Sequence, residues 1–404
     1  MIITPTFTAN FDTNFGANAT AARAAWAAAA QVFTSHFSDN ININITVDAV
    51  AGTNVFGQSS TPLLSISYAD LLAAVTADAT TQNDQIAIGP GGSMTAADPT
   101  NGTGTWWLTR SQAKALGHIP DDTSGDGTTT FGAGNSFTFS GAITAGTYDF
   151  QGIAAHEISE VMGRLGLSGG NVGTTANSFS LIDNFSYTGP GTKGLRGGPG
   201  NYFSIDNGTT LLKLWNDPTV NNLDSRDWAP GTNDAFNQFS DPSVVNPVSA
   251  VDLQLMDVIG YNLIPTFAWG PSIQYDTGGP NAIALDDNGN AVEVHVGTNR
   301  LFHRVGTVNF TNQTIAWGPS IQYDTGGPNA IALDDHGNAV EVHVGTNRLF
   351  YRVGTVNFTN QTIAWGPSTQ YDTGGPNAIA LDDHSNVAEA HVGTGRLFYH
   401  VGHL

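Results

Sequence analysis

The sequence predicts an α+β domain followed by an all-β domain, and three observations support this order. Residues 1–263 alternate Ala-rich helical patterns with short strand patterns, whereas the chain from residue 264 repeats itself every 48 residues. The 48 Gly and 18 Pro residues indicate many turns. A chain of 404 residues, 40% of them hydrophobic, is long enough for two or three domains with their own cores.

The first domain contains clear helical and strand patterns. Alternation of Asn with apolar residues predicts a half-buried strand at 40–47. Apolar residues at helical spacing, together with capping signals, predict helices at 17–37, 68–79, 148–162 and 249–260. Shorter strands are predicted at 85–88, 128–131 and 137–139. The stretch 164–248 is rich in Gly, Asn and Asp and is expected to consist mainly of turns.

The second domain, residues 264–404, contains three copies of a 48-residue unit. Residues 269–316 and 317–364 align without gaps and differ at two positions, and a diverged third copy begins at Trp365. Each copy has four short strand patterns. Four strands per copy fit a propeller-like array, and three copies equally fit a β-trefoil. Three blades do not close a ring alone, so the propeller interpretation implies a homo-oligomer or a longer array.

Charge and composition limit the possible partners. The chain has 13 basic and 34 acidic residues, a net charge of −21, and therefore no basic surface for nucleic acid. It has no cysteine, which excludes disulfides and thiolate metal sites. The chain has no apolar run of about 18 residues, so no membrane-spanning helix is predicted. The acidic, Lys-poor composition is typical of exported bacterial proteins, so a secreted protein is expected, although no signal peptide is visible at the N-terminus.

The predicted helix at 148–162 carries the chemistry-bearing residues of the first domain. His156 and Glu160 are four residues apart, so both side chains leave one helix face and can hold one metal ion. Glu157 lies about 100° around the helix, where a general base can reach a metal-bound water. The pattern predicts zinc bound by His156 and Glu160, with Glu157 catalytic. An amphipathic helix with incidental polar residues is the alternative.

The run H-E-I-S-E-V-M-G-R at 156–164 resembles a family of secreted bacterial zincin-type metalloproteases, of the metzincin or matrixin-like kind. Weaker similarities to the same family lie at 111–117, 202–208, 227–229, 234–237 and 251–261. The resemblance covers essentially residues 1–263. It implies a zincin-like fold, zinc as cofactor and a protein or peptide substrate.

The sequence departs from the metzincin pattern at three places. Glu160 replaces the second histidine, Gly166 stands at the third ligand position, and Val245 replaces the methionine of an S-V-M-N-P turn. The third ligand must come from elsewhere, and Asp183, 23 residues beyond Glu160, is the first candidate. His36 and His118 are further candidates. These departures also allow an inactive protease retained as a scaffold.

A second acidic cluster, which comprises Asp121, Asp122 and Asp126, has oxygen ligands at short spacing and is a candidate calcium site. It lacks the closing Glu of an EF-hand loop, so an ordinary surface turn is the alternative.

The repeats carry aromatic and polar residues of the kind that bind sugars, namely a flat apolar surface with hydrogen-bonding groups nearby. A polysaccharide or glycan is therefore the predicted ligand, and repeated sites would gain avidity on it. The Trp residues can equally be core, and the Glu/His pairs can equally form a solvated strand face. The candidates are Trp269, Tyr275, Glu293, His295, Trp317, Tyr323, Glu341, His343, Trp365, Tyr371, Glu389 and His391.

The sequence thus predicts a secreted zinc-dependent endopeptidase with a C-terminal carbohydrate-binding repeat module. A lectin-like binding protein or adhesin, whose first domain is catalytically inactive, is the alternative.

Overall fold

A computed structural model of the chain describes residues 1–140, 142–221, 224–264, 271–310 and 312–404. The chain divides into two compact units, Met1–Thr266 and Phe267–Leu404. The first unit mixes helices and sheets, and the second consists of antiparallel sheets in repeated units. The predicted order of fold types is therefore confirmed. No helix among the described residues has both the length and the apolar character that a bilayer span requires.

The first unit contains the helices of the described chain. They are α1 (Ala9–Phe15), α2 (Ala19–His36), α3 (Tyr68–Asp78), α4 (Gln82–Ile88), α5 (Arg110–Ala115), α6 (Phe150–Val161), α7 (Pro218–Asn221) and α8 (Ala250–Val258), with 3-10 turns at Gly16–Asn18 and Leu181–Phe185.

Short strands lie between these helices. They are β1 (Ile2–Phe7), β2 (Asn42–Val50), β3 (Gly57–Ser60), β4 (Leu63–Ile66), β5 (Thr105–Thr109), β6 (Gly127–Gly132), β7 (Phe137–Thr138), β8 (Tyr148–Asp149), β9 (Gly170–Val172), β10 (Thr175–Ser180), β11 (Ser186–Gly189), β12 (Thr192–Lys193), β13 (Tyr202–Phe203) and β14 (Lys213–Leu214).

One four-stranded sheet supports helix α6. Its order is β1-β2-β6-β3, in which β1, β2 and β6 are parallel and the edge strand β3 is antiparallel to β6. Ile43, Ile45 and Val47 of β2 are buried, as their alternation requires. Trp26 of α2 is also fully buried, and its indole nitrogen donates to Thr129 of β6 at 3.1 Å. The sheet and α2 therefore share one core with α6.

The strand predicted at 85–88 is wrong. This segment is the second half of helix α4, which begins with a capping box in which Thr81 and Asp84 satisfy each other's backbone N–H groups. The apolar residues Ile86 and Ile88 resemble a strand alternation, but the cap starts a helix three residues earlier. The predicted strands at 128–131 and 137–139 correspond to β6 and β7.

The second unit contains three antiparallel sheets, one per repeat. The strands are β15 (Asn281–Leu285), β16 (Asn290–Val296), β17 (Leu301–Asn309), β18 (Thr314–Trp317), β19 (Ile321–Asp324), β20 (Asn329–Leu333), β21 (Asn338–Val344), β22 (Leu349–Asn357), β23 (Thr362–Trp365), β24 (Thr369–Asp372), β25 (Asn377–Leu381), β26 (Asn386–Val392) and β27 (Leu397–His403).

The first two sheets of the second unit each include a strand from the next sequence copy. In the first sheet β15-β16-β17-β18, strand β19 also pairs with β17, although β19 belongs to the next sequence copy. The second sheet repeats this pattern, and the third comprises β25-β26-β27. Asp287 N donates to Asp335, and Asp335 N donates to Asp383, so equivalent turns of successive copies also contact each other.

Candidate functional site

Helix α6 presents His156 and Glu160 together, as their spacing predicts. Asp149 is the N-cap of the helix and its side chain accepts from Gln151 N, while the Ile158 and Val161 side chains are fully buried. His156 Nε2 lies 3.3 Å from Glu160 Oε1. The two side chains therefore converge on one point beside the helix.

Asp227 is the third member of this cluster. Its Oδ1 atom lies 3.5 Å from His156 Nε2, and one ligand atom each from His156, Glu160 and Asp227 falls within 4.8 Å of the other two. The residue is held by its neighbour Trp228, which is fully buried, stacks on Trp215 at 4.3 Å and donates to the carboxylate of Asp252. The position of Asp227 thus depends on tertiary packing.

Each member of the cluster has an outer partner that fixes its orientation. His156 Nδ1 lies 2.9 Å from the carbonyl oxygen of Ala235, which leaves Nε2 directed at the carboxylates. Ser59 of β3 donates to Glu160 Oε2 at 2.7 Å. The buried Arg164 donates to Asp227, and its other terminal nitrogen lies 3.5 Å from Glu160. Such supporting partners are a regular feature of metal sites.

Burial and neighbouring charges shift the proton affinities of the cluster. Burial and the Arg164 charge act to lower the pKa of His156, but Asp227 and Glu160 outweigh them and raise it to about 9. Burial acts to raise the pKa of Glu160, but its hydrogen bond from His156 and the charges of His156 and Arg164 lower it to about 2. Both shifts favour a protonated His156 beside an ionised Glu160.

Glu157 is buried beside the cluster, with 6% of its surface exposed. Burial raises its pKa well above the usual range, and the adjacent Glu160 charge adds to the effect. Its carboxyl group packs against Gly57 of β3, where a Cβ atom would lie only 2.3 Å from Glu157 Oε1. Gly57 therefore provides the space that Glu157 occupies.

The structure places Asp183 outside this cluster. Its Oδ2 atom accepts from the backbone N–H groups of Leu167, Ser168 and Ser180 at 2.9–3.1 Å. Its Oδ1 atom accepts from Arg226 Nε at 2.8 Å. Both oxygens are thus engaged in fixing the chain around the 3-10 turn, and Asp227 takes the place in the cluster that the sequence suggested for Asp183. His36 and His118 are also absent from the cluster.

The candidate calcium cluster of the first unit lies beside basic side chains. Asp121, Asp122 and Asp126 face Lys114, whose Nζ atom lies 2.8 Å from Asp126, and Arg110 donates to Asp122. Cations of the protein itself therefore lie within the candidate calcium cluster.

The S-V-V-N-P segment at 243–247 packs against the start of α6. Asn246 N donates to Asp149 at 3.0 Å, and a Cβ atom on Gly152 would lie 2.6 Å from the carbonyl oxygen of Asn246. The segment thus supports the helix without a methionine.

The second unit has three equivalent clefts, one in each copy. Each cleft is lined by an Asp, a His and a Phe at equivalent positions. His295, His343 and His391 point Nε2 at Asp276, Asp324 and Asp372, at 3.6, 3.7 and 3.5 Å respectively. The clefts recur every 48 residues, as a repeated binding site requires.

The predicted sugar-binding residues divide between these clefts and the packing behind them. The glutamates lie on the side of each His ring that faces away from the cleft. Glu293, Glu341 and Glu389 are buried, and each bonds to Nδ1 of the His two residues later. In the first two copies Tyr275 and Tyr323 donate to Glu293 and Glu341. Trp317 lies against Tyr275 and Trp365 against Tyr323, at 5.5 and 5.3 Å between ring centroids.

In the third copy, Tyr371 and Glu389 line a separate cavity of about 340 Å³. Trp269 lies outside the described residues.

Several residues of both sites carry only weak signals in the sequence and were not predicted. The only sequence signal for Asp227 is its place in the D-W-A run at 227–229. The only signal for Arg164 is its place at the end of the H-E-I-S-E-V-M-G-R run. Asp276, Asp324 and Asp372 each precede a T-G-G run in their copy, which is the one sequence signal that marks them.

Comparisons with known proteins give little further information. No protein-family model and no curated protein matches the chain. Among solved structures, it is similar to a protein from Lactobacillus plantarum determined by the Northeast Structural Genomics Consortium, with 11% identity and a TM-score of 0.16. That match covers 32% of this chain and 57% of the other, so the chain spans little more than half of that protein. A TM-score this low does not establish a shared fold.

Proposed function

We propose that the first unit is a zincin-like, zinc-dependent endopeptidase of a secreted protein, and that the second unit binds carbohydrate. The observation that carries the first proposal is the convergence of His156, Glu160 and Asp227 beside the buried Glu157. One imidazole and two carboxylates are ligands that zinc accepts, and a three-residue set leaves a position for water. The outer hydrogen bonds to each ligand support this assignment.

The residues around the cluster have the properties that peptide hydrolysis requires. Zinc, when bound, polarises a carbonyl group and lowers the pKa of water toward 7. Glu157 is the buried carboxyl group beside the cluster, the position from which an ionised carboxylate accepts the proton of the attacking water and delivers it to the leaving amine. Burial excludes bulk water from this carboxyl group and strengthens its interactions.

The edge strand β3 provides a surface for an extended peptide. It pairs with β6 on one side, and among the described residues no strand pairs with its other side. Gly57 contacts Glu157, and Ser59 donates to Glu160, so this edge runs beside the cluster. An added antiparallel strand would bring a peptide bond to the site by backbone hydrogen bonds.

One observation favours the alternative of an inactive scaffold. Arg164 already pairs with both Glu160 and Asp227, and its positive charge opposes a metal ion at the same carboxylates. In that case, the first unit would be a binding domain stabilised by an ion-pair network. Metal content separates the two functions.

The second unit is proposed as a propeller-like carbohydrate-binding module. Each copy has its own antiparallel sheet, and the second and third copies each contribute a strand to the preceding sheet, which supports a propeller-like array over a trefoil. Three equivalent clefts with Asp, His and Phe suit repeated sugar units and would act together on a polysaccharide. Leu397, Tyr399 and Val401 of β27 are largely exposed, which supports pairing with a second copy in a homo-oligomer.

Hydrolysis of fluorescently labelled casein tests the proposed activity. The wild-type chain is expected to cleave casein, and a chelator is expected to abolish cleavage until zinc is returned. Glu157→Gln should retain zinc and lose about 10²-fold or more in rate, because it removes only the proton acceptor. An inert, metal-free wild-type chain would favour the scaffold.

A further inference from the structure

The cleft of the third repeat differs from the other two at one position that decides its chemistry. In the first two copies an arginine pairs with the cleft aspartate, Arg304 with Asp276 at 2.7 Å and Arg352 with Asp324 at 2.8 Å. The equivalent residue of the third copy is His400. Arginine is always charged and cannot bind a metal ion, whereas a neutral imidazole can.

This replacement brings two imidazoles to one carboxylate. Asp372 Oδ2 lies 2.9 Å from His400 Nε2 and 3.5 Å from His391 Nε2, and the three donor atoms fall within 4.8 Å of one another. Two ligands that each lie about 2.0–2.1 Å from a tetrahedral zinc ion are themselves about 3.3 Å apart. The separations of Asp372 from the two imidazole nitrogens are close to this value, which suits a shared ion.

The supporting residues hold the donor atoms of this cluster in place. The His391 side chain is 1% exposed and has its Nδ1 atom 3.1 Å from Glu389, which leaves Nε2 for the cleft. Its ring also stacks on Phe398 at 5.5 Å between centroids. A carboxylate behind a metal-bound histidine is a regular feature of zinc sites. His400 is 49% exposed, so the cluster is open to water or a ligand.

We propose that Asp372, His391 and His400 form a second zinc site, confined to the third repeat and independent of the cluster on α6. Two imidazoles and one carboxylate favour zinc or a similar transition metal over calcium or magnesium, which prefer sets of oxygen ligands. The first two copies bind no ion here, because an arginine occupies the equivalent position.

Zinc stoichiometry of the full chain tests the proposal. The His156→Ala variant removes a ligand of the first cluster, so any remaining zinc reports on the repeats. Equilibrium dialysis followed by elemental analysis should find one zinc per His156→Ala chain, and cobalt substitution should give the visible absorption of a tetrahedral site.

Adding His400→Arg should reduce the zinc content from one to zero per chain. This variant carries the residue that the other two copies carry, so the fold is expected to be preserved, and its thermal unfolding without metal serves as the control. Adding Glu389→Gln instead should weaken zinc affinity by about 10- to 100-fold.

A gain of a site provides a matched test in the second copy. On the His156→Ala chain, Arg352→His places a third ligand beside Asp324 and His343. It should raise the zinc content of that chain from one to two. Zinc retained after His400→Arg, no zinc on the His156→Ala chain, or no added zinc on a folded Arg352→His chain would each overturn the proposal.

Discussion

Gly57→Ala is the sharpest perturbation of the proposed catalytic site, because it adds one methyl group beside Glu157. The new Cβ atom would lie 2.3 Å from Glu157 Oε1 and 2.8 Å from its Cδ and Cγ atoms. Ordinary van der Waals contacts of a Cβ atom begin at 3.4 Å, so the carboxyl group must retreat by about 1 Å. Because Glu157 is buried, it has little room to do so without displacing its neighbours.

The expected result is a loss of activity with zinc retained. A displacement of about 1 Å in a reacting group can cost about 10²-fold in rate. The three atoms nearest to the added methyl group all belong to Glu157, so zinc content should be unchanged. Overpacking should also lower the free energy of unfolding by about 1–3 kcal/mol.

Casein hydrolysis, zinc content and thermal unfolding should be measured together on this variant. Gly125→Ala is the matched control, because a Cβ atom there meets nothing within 4 Å and the backbone needs no positive φ. Full activity of Gly57→Ala would refute the assignment of Glu157 as the proton acceptor in its observed position. Loss of zinc together with activity would show that the variant disrupts the whole cluster.

Three further predictions concern stability and binding. Asp183→Asn should lower the unfolding temperature through its lost bond to Arg226 while zinc content stays unchanged; a loss of zinc would restore Asp183 as a ligand. Burial raises the pKa of Asp78 to about 7, so the folded state keeps a proton that the unfolded state loses near pH 4. Stability should therefore fall as pH rises from about 4 to 7 and level off above, and Asp78→Asn should reduce the fall in unfolding temperature between pH 5 and 8; an equal fall in both proteins would contradict this. In the repeats, replacing His295, then His343 as well, by Ala should weaken polysaccharide binding stepwise in affinity electrophoresis, whereas an unchanged mobility would exclude these clefts as the sugar sites.

Strong local patterns made part of the fold predictable from the sequence. Strand β2 follows from its alternating Asn and Ile residues, and helix α6 from its apolar spacing and its terminal Gly163. The strand predicted at 85–88 was wrong because it relied on two alternating isoleucines and did not take account of the capping residue Thr81. The capping residues were present in the sequence and determine the helix.

The candidate metal cluster was predictable only where its residues share one element. His156, Glu157 and Glu160 lie on one helix, so helical geometry alone brings them together. Asp227 comes from a turn-rich segment with no periodicity, and only the packing of Trp228 brings it to the helix. Sequence spacing also cannot distinguish an aspartate that only accepts hydrogen bonds, such as Asp183, from an aspartate that binds a metal ion.

The repeat clefts show the same limit. The Glu/His pairs were visible because they alternate on one strand, as in Glu389 and His391. The cleft aspartate Asp372 belongs to β24, which hydrogen-bonds to the preceding sheet, so the sequence order does not reveal that it faces His391.

We infer that His156, Glu160 and Asp227 bind one zinc ion, and the zinc content of two variants is the decisive measurement. The measurement uses the His400→Arg chain, in which the proposed second site is absent, and compares it with the same chain carrying Asp227→Ala. We expect one zinc per chain for the first protein and none for the second, with both folded at the assay temperature. A metal-free His400→Arg chain, or equal zinc content in the two proteins, would contradict it.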